Sequence, residues 1–132
     1  MISAVDSSVI LDVLTDNPEF ADTSEALLRR AMTEGKLVIG VCVLAEIIPA
    51  FKDEKTLKEF LADWQIEFVP SSRDSAILAG RHFARYLSRG GRTGRIVADF
   101  LIGAHAMFHA DRLLARDRGY LRDYFSKLTV CS

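Results

Sequence analysis

Apolar positions along the chain fall into two alternating patterns. Short, mostly apolar runs stand at residues 2–5, 37–41, 66–69, 113–115 and 128–131, the form expected of strands buried on both faces. Between them, apolar residues return every third or fourth position at 9–14, 19–34, 43–51, 56–64, 73–88, 97–109 and 120–125, which predicts helices. The punctuation agrees. Asp6-Ser7-Ser8 offers a serine cap to the first helix, Asn17-Pro18 breaks the chain after it, Gly35 stops the second, and Pro70-Ser71-Ser72 precedes the fifth. Pro49 lies inside the helix at 43–51 and must distort it or end it early, because proline has no N–H to donate. Strands alternating with helices imply a parallel sheet covered on both faces.

Within the helix at 73–88, Ala76, Gly80, Phe83, Ala84 and Leu87 form an apolar stripe, whereas Arg81, Arg85 and Arg89 recur on a different face. The helix at 97–109 is apolar nearly all round, which predicts burial, and it carries Asp99 in its first turn. Phe51, Phe60, Trp64, Phe68, Phe83 and Phe108 stand at core-like positions, and residues 90–95 read as a flexible loop. His105 and His109 lie one turn apart on the apolar helix and are expected to pack in the core, with His82 at the surface.

Composition narrows the class without changing this picture. The 132 residues are 49% hydrophobic and 27% charged, the balance of one globular domain spanning 1–132. A chain of this length buries roughly two-thirds of its unfolded surface, enough for a core without disulfides or structural metal. The longest apolar run, 37–45, is far short of the roughly 18 residues a bilayer span needs. No basic region precedes an apolar stretch at the start of the chain, so the expected compartment is the cytoplasm. Cys42 and Cys131 stand apart, with no ligand-spaced Cys or His beside them, and read as small buried thiols in a reducing compartment.

Charge is segregated along the chain. Residues 1–74 hold 7 basic and 14 acidic residues, whereas 75–132 hold 10 basic and 4 acidic. Between 81 and 98 there are five arginines, Arg81, Arg85, Arg89, Arg92 and Arg95, and no acid. Guanidinium forks match phosphate oxygens, so this stretch suits a polyanion; a solvated face, or a face paired with acids of the first half in a dimer, is the plainer alternative.

Most acids fall where solvent is expected, but four do not. Asp6 ends the first strand, Glu46 sits on the helix after the second, Asp99 opens the apolar helix, and Asp117 follows the strand at 113–115. Each taken alone is also explained as a turn residue or a helix-terminus acid. In an open parallel sheet, however, residues just beyond the carboxyl ends of several strands converge in one crevice. Carboxylates gathered there repel one another unless a cation neutralises them. A purely oxygen set without Cys or His favours Mg²⁺ or Mn²⁺, and such a centre supports in-line phosphodiester hydrolysis without a side-chain nucleophile. Arg116, Arg118 and Arg122 would then serve at the rim, and Tyr120 and Tyr124 would stack on a base or simply pack.

The ordered set Asp6-Ser7-Ser8, Ala45-Glu46-Ile47, residues 97–106 (VADFLIGAHA) and residues 114–120 (LARDRGY) resembles a PIN domain, and more narrowly the VapC-type toxins of prokaryotic toxin–antitoxin pairs. The resemblance runs nearly the full chain. It implies an α/β, PIN-like three-layer sandwich with a parallel central sheet and helices on both faces. It also implies a Mg²⁺- or Mn²⁺-dependent endoribonuclease acting on RNA, homodimeric and restrained by a VapB-like antitoxin, with no membrane association. By motif match, Asp6, Glu46, Asp99 and Asp117 are the catalytic and metal-site acids. Ser7 or Ser8 is the hydroxyl of the first motif, and Ser7, Ser8, Arg116, Arg118, Arg85 and Arg89 are expected to position RNA. The chain departs from the family pattern at Ala115, where a Thr or Ser is common, and at Pro49. Two other readings remain open: a PIN-fold module that binds RNA or a partner with weak or no catalysis, and a phospho-acceptor receiver domain. The receiver expects adjacent acids after the first strand and a late lysine at the site, whereas Ser7 follows Asp6 and Lys127 is the only lysine beyond residue 58.

Overall fold

The structure, a computed structural model, describes residues 1–90, 94–116 and 119–132. Its first strand, β1 (Ile2–Val5), leads into α1 (Ser7–Leu14) and α2 (Ala21–Glu34), followed by β2 (Lys36–Ile39) and α3 (Val41–Ile47). A single 3₁₀ turn at Ile48–Ala50 precedes α4 (Glu54–Asp63), β3 (Ile66–Phe68) and α5 (Arg73–Ser88). The chain closes with α6 (Val97–His109), β4 (Arg112–Leu114), α7 (Gly119–Tyr124) and β5 (Val130–Cys131). All five strands are parallel, in the order β3-β2-β1-β4-β5. The chain therefore winds outward from β1 in one direction and then returns to add β4 on its other side. Right-handed crossovers place the helices of the two windings on opposite faces, giving the expected three layers. The reversal falls between β1 and β4, where the Asp6 N–H donates to the Leu114 carbonyl at 2.9 Å. In such sheets this switch point, at the carboxyl ends of the strands, is where a crevice opens.

The core explains why the strands read as mostly apolar runs. Ala4, Val5, Leu37, Val38, Ile39, Leu113 and Leu114 are buried. Buried Ser3 and Arg112 satisfy each other, with Arg112 Nε donating to Ser3 Oγ at 2.7 Å. Helix α6 packs against β1, β4 and α5, and Phe100 in its first turn is fully buried among the rings of Phe83, Tyr86, Tyr120, Tyr124 and Phe125. Gly103 faces the same ring cluster: a Cβ built there would lie 2.6 Å from the Phe125 ring.

Most element boundaries agree with the sequence pattern to within two residues, and the differences have local causes. α1 begins at Ser7 because Asp6, not a serine, is its N-cap, accepting from the Ser8 N–H. The second strand ends at Ile39, and residue 41 already begins α3. Pro49 ends α3 at Ile47 and leaves only the 3₁₀ turn behind it. The stripe assigned to α5 is rotated. Ser75, Ala79 and Tyr86 are the buried positions, Phe83 is half-buried, and Ala76, Gly80, Ala84 and Leu87 are exposed. Phe68 and Phe108 are exposed rather than core residues. His82 is half-buried, its ring edge-on to Phe125 with centroids 4.8 Å apart. His105 is buried as expected, with Nε2 2.7 Å from the Val69 carbonyl. Cys42 and Cys131 are free thiols and only half-buried. Of the predicted loop at 90–95, residues 91–93, including Arg92, lie outside the described residues.

Candidate active site

α1 begins immediately after β1, so Asp6 is held at the strand end by its role as helix cap. Its carboxylate accepts from the Ser8 N–H at 3.3 Å and from the Ser8 hydroxyl in a short bond. The neighbouring hydroxyl, Ser7 Oγ, donates to Glu46 Oε1 at 3.2 Å. Glu46 reaches that position from the last turn of α3, the turn that Pro49 terminates. Asp99 is the third residue of α6, where Oδ2 accepts from the Ile96 N–H at 3.0 Å, and the Tyr120 hydroxyl donates to its carbonyl at 3.3 Å. Three elements thus deliver three carboxylates to one cleft of about 360 Å³ at the β1/β4 switch point. Its other lining residues are Ser7, Ser8, Leu11, Arg95, Ile102, Arg116 and Tyr120.

In the cleft the acids disfavour one another's charged forms. Burial pushes the Asp6 carboxyl up, partly offset by its bonds from Ser8, and the Asp99 charge pushes it further. Glu46 is raised by burial as well, opposed by the Ser7 hydroxyl and reinforced by Asp6 and Asp99. Groups that mutually disfavour their charged forms are suited to a bound cation. Among the described residues, no three His, Cys, Asp or Glu side chains are close enough to form a ready cage. That spacing fits an ion that keeps several waters and takes one or two carboxylates directly, as Mg²⁺ does. The donor set is also all-oxygen, so the residues present fit a hard divalent cation. Asp117 and Arg118 lie outside the described residues.

The cationic residues divide into two groups. Arg116 lines the cleft, but its Nε and Nη2 both donate to buried Asp12, each at 2.9 Å. Its guanidinium also lies over the Phe20 ring, 4.2 Å from the centroid. Asp12 accepts in addition from Ser24 Oγ at 2.7 Å. Removing one partner of a fully buried ion pair costs about 3–5 kcal/mol, and less here because the Arg116 side chain is 39% exposed. Arg95 stacks over Tyr120 at 4.2 Å from the centroid, and its backbone N–H donates to the Tyr86 hydroxyl. Farther out, Arg85 and Arg89 both lie 5.5 Å over the ring of Tyr124, four residues along α7 from Tyr120. Arg122 sits outside this arrangement, exposed beside Asp123 at 3.9 Å.

The sequence reading overlooked Asp12. The available signal was the same one that singled out Asp99: a lone acid in an otherwise apolar helix, one turn beyond Ser8 and so on the Ser8 side of α1.

Comparison with known proteins decides the family. The PIN domain family matches residues 4–125. The chain belongs to the PIN domain family. Its fold is also that of several solved structures. VapBC2 from Rickettsia felis bound to a DNA fragment from its promoter has a chain that is 19% identical, with a TM-score of 0.74 covering 99% of this chain and 98% of that one. A chain of VapBC-1 from nontypeable Haemophilus influenzae is 17% identical, with a TM-score of 0.71 over 100% and 98%. A chain of FitAcB from Neisseria gonorrhoeae is 20% identical, with a TM-score of 0.66 over 100% and 97%. No curated protein matches the chain at a significant level. Among the described residues, no helix of this PIN domain is long and apolar enough to cross a membrane.

Proposed function

We propose that this PIN domain, taken as one unit over 1–132, is a divalent-metal-dependent endoribonuclease and the toxin of a toxin–antitoxin pair. The observation that carries the reading is the meeting of Asp6, Glu46 and Asp99 in one cleft at the topological switch point, with the Asp6 and Glu46 carboxyls pushed up by burial and by neighbouring negative charge. Asp6, Glu46 and Asp99 would hold Mg²⁺ or Mn²⁺, joined by Asp117 on the strength of its motif. A divalent ion held there supplies Lewis-acid polarisation of a phosphoryl oxygen and acidifies a water for in-line attack. The chain's own residues do the rest. Ser8 fixes the Asp6 carboxylate, Ser7 fixes Glu46, and the Tyr120 hydroxyl anchors the first turn of α6 through the Asp99 carbonyl. Arg116 and Arg95 flank the acids and take RNA phosphates, with Arg118, Arg85 and Arg89 extending the cationic track. All-oxygen acid sites also occur in receivers, but here Ser8 donates to Asp6 and Ser7 to Glu46, and among the described residues no lysine lines the cleft, which favours the nuclease.

The toxin assignment rests on the fold shared with chains of VapBC complexes. It carries three further elements of the proposal: a VapB-like antitoxin as partner, a homodimer as the assembled state, and a cytoplasmic setting. The test is cleavage of structured and single-stranded RNA by purified protein with Mg²⁺, with Mn²⁺ and with chelator, beside Asp6→Asn. Asparagine keeps the helix cap while removing the charge, so the variant is expected to stay folded and to lose at least about 100-fold in rate. Equal cleavage by the variant would assign the activity to a contaminant and remove the nuclease reading. A binding-only module is favoured by one observation, Ala115, which puts no hydroxyl two residues before Asp117. It predicts RNA binding that Mn²⁺ leaves unchanged, with no products on a sequencing gel.

A further inference from the structure

Arg116 is the wall between two cavities. On one side is the acid cleft; on the other is an apolar pocket of about 320 Å³ lined in part by Val9, Phe20, Leu27 and Ala115. A long cationic side chain at such a wall has another place to go. It can leave the Phe20 ring, over which it lies, and collapse onto the nearby carboxylates of Asp6 and Glu46, whose charge attracts it. What fixes it is Asp12, which is 2% exposed and grips the Nε–Nη2 edge of the guanidinium with both carboxylate oxygens. Asp12 is itself fixed, since Ser24 donates to the oxygen that receives Nε. The fork occupies one edge of the guanidinium and leaves the Nη1–Nη2 edge for another acceptor.

We infer that Asp12 is a positioning residue of this site, whose buried fork holds Arg116 at the cleft wall, off the acid cluster, with one donor edge kept for a phosphate of the bound RNA. The inference rests on the nuclease reading for its substrate but concerns a residue which that reading does not use. A guanidinium already ordered loses little freedom when the phosphate arrives, which is the source of its advantage over an unrestrained arginine. Lysine at 116 would keep the charge but not the planar fork, so it could not be held in the same way.

The sign of one substitution separates positioning from bulk charge. Asp12→Asn removes a negative charge from the neighbourhood of a polyanion site, so a purely coulombic role predicts tighter RNA binding. Positioning predicts the opposite, because asparagine cannot take a charge-assisted fork and Arg116 is released toward Asp6. Four proteins decide it: wild type, Asp12→Asn, Arg116→Ala and the double variant, with circular dichroism showing each folded at the assay temperature. Binding of a short fluorescein-labelled RNA is read by anisotropy in chelator, and single-turnover cleavage is read in Mn²⁺. Asp12→Asn is expected to weaken binding several-fold and to lower cleavage about tenfold. In the Arg116→Ala background the same change should add less than about twofold, since the two residues act as one unit. Arg116→Lys, a fifth protein, should fall below wild type in both readouts, since lysine keeps the charge without the fork. Unchanged or tighter binding by Asp12→Asn, or losses that multiply in the double variant, would overturn the inference. RNA that binds wild type but is never cleaved would instead remove the nuclease reading, and the anisotropy cycle would still decide the role of Asp12. RNA that binds none of the four would remove both.

Discussion

Asp6 and Glu46 are carboxyls that the fold holds in conditions unfavourable to their charge, and the pH dependence of stability should show it. Both are raised from their ordinary values, chiefly by burial. An acid with a raised folded-state value binds more protons folded than unfolded, so stability falls as pH rises through the interval between the two values. In chelator, the melting temperature is therefore expected to decline as pH climbs above the ordinary carboxylate range of about 4, and Asp6→Asn should flatten that decline. Melting curves across pH for both proteins check it; parallel curves would show that Asp6 carries no such penalty. Adding Mn²⁺ should raise the wild-type melting temperature and do less for the variant, by binding linkage. These acids were legible in the sequence because each stood at the end of a strand or on an otherwise apolar helix. Asp12 met the same criterion, but its partner Arg116 is 104 positions away. Nothing local in the sequence announces such a pair.

Helix α5 shows where periodicity loses its power. The stripe Ala76, Gly80, Ala84 is made of small residues, which fit a core face and a solvent face equally well, and the structure turns it outward. The true inner face includes Ser75, whose hydroxyl is buried because it donates to the Ser72 carbonyl and accepts from the Ser72 N–H. A polar residue satisfied by its own helix cap reads as exposed in a hydropathy pattern, and that shifts the apparent stripe by one position. In contrast, α6 was legible to the residue because nearly every side is apolar. The two helices give opposite expectations for the same substitution. Gly80→Ala places a Cβ with nothing within 4 Å and should stabilise the protein by about 0.4–1 kcal/mol, mainly by restricting the unfolded chain. Gly103→Ala pushes a Cβ to 2.6 Å from the buried Phe125 ring and should destabilise by about 1–3 kcal/mol as the ring cluster shifts. Chemical denaturation of the two variants measures both, and a Gly103→Ala protein as stable as wild type would show that the cluster yields freely.

At the scale of the whole molecule, alternation of strands and helices was enough to infer a parallel sheet, but not the order β3-β2-β1-β4-β5, which depends on where β4 returns. That return is what brings the basic second half of the chain to the acids of the first half. Arg116 reaches Asp12 across it, and α7, anchored through Tyr120 and stacked under Arg95, carries Tyr124 beneath Arg85 and Arg89. The segregated charge becomes a continuous path, from Arg85 and Arg89 over Tyr124 to Tyr120, Arg95 and the cleft. If RNA follows it, its phosphates displace counterions there, and each lost contact to a single strand reduces the slope of log affinity against log salt by about 0.7. The Arg85→Gln, Arg89→Gln double variant is accordingly expected to weaken RNA binding in low salt and to shrink that slope by about 1.4. Melting should change little, because Arg85 and Arg89 are themselves exposed, and a cation over a ring at such a site is worth only about 0.5–1 kcal/mol. An unchanged slope would return the two arginines to the plainer role of packing on Tyr124, and would confine the RNA to the cleft and its immediate arginines, Arg95 and Arg116.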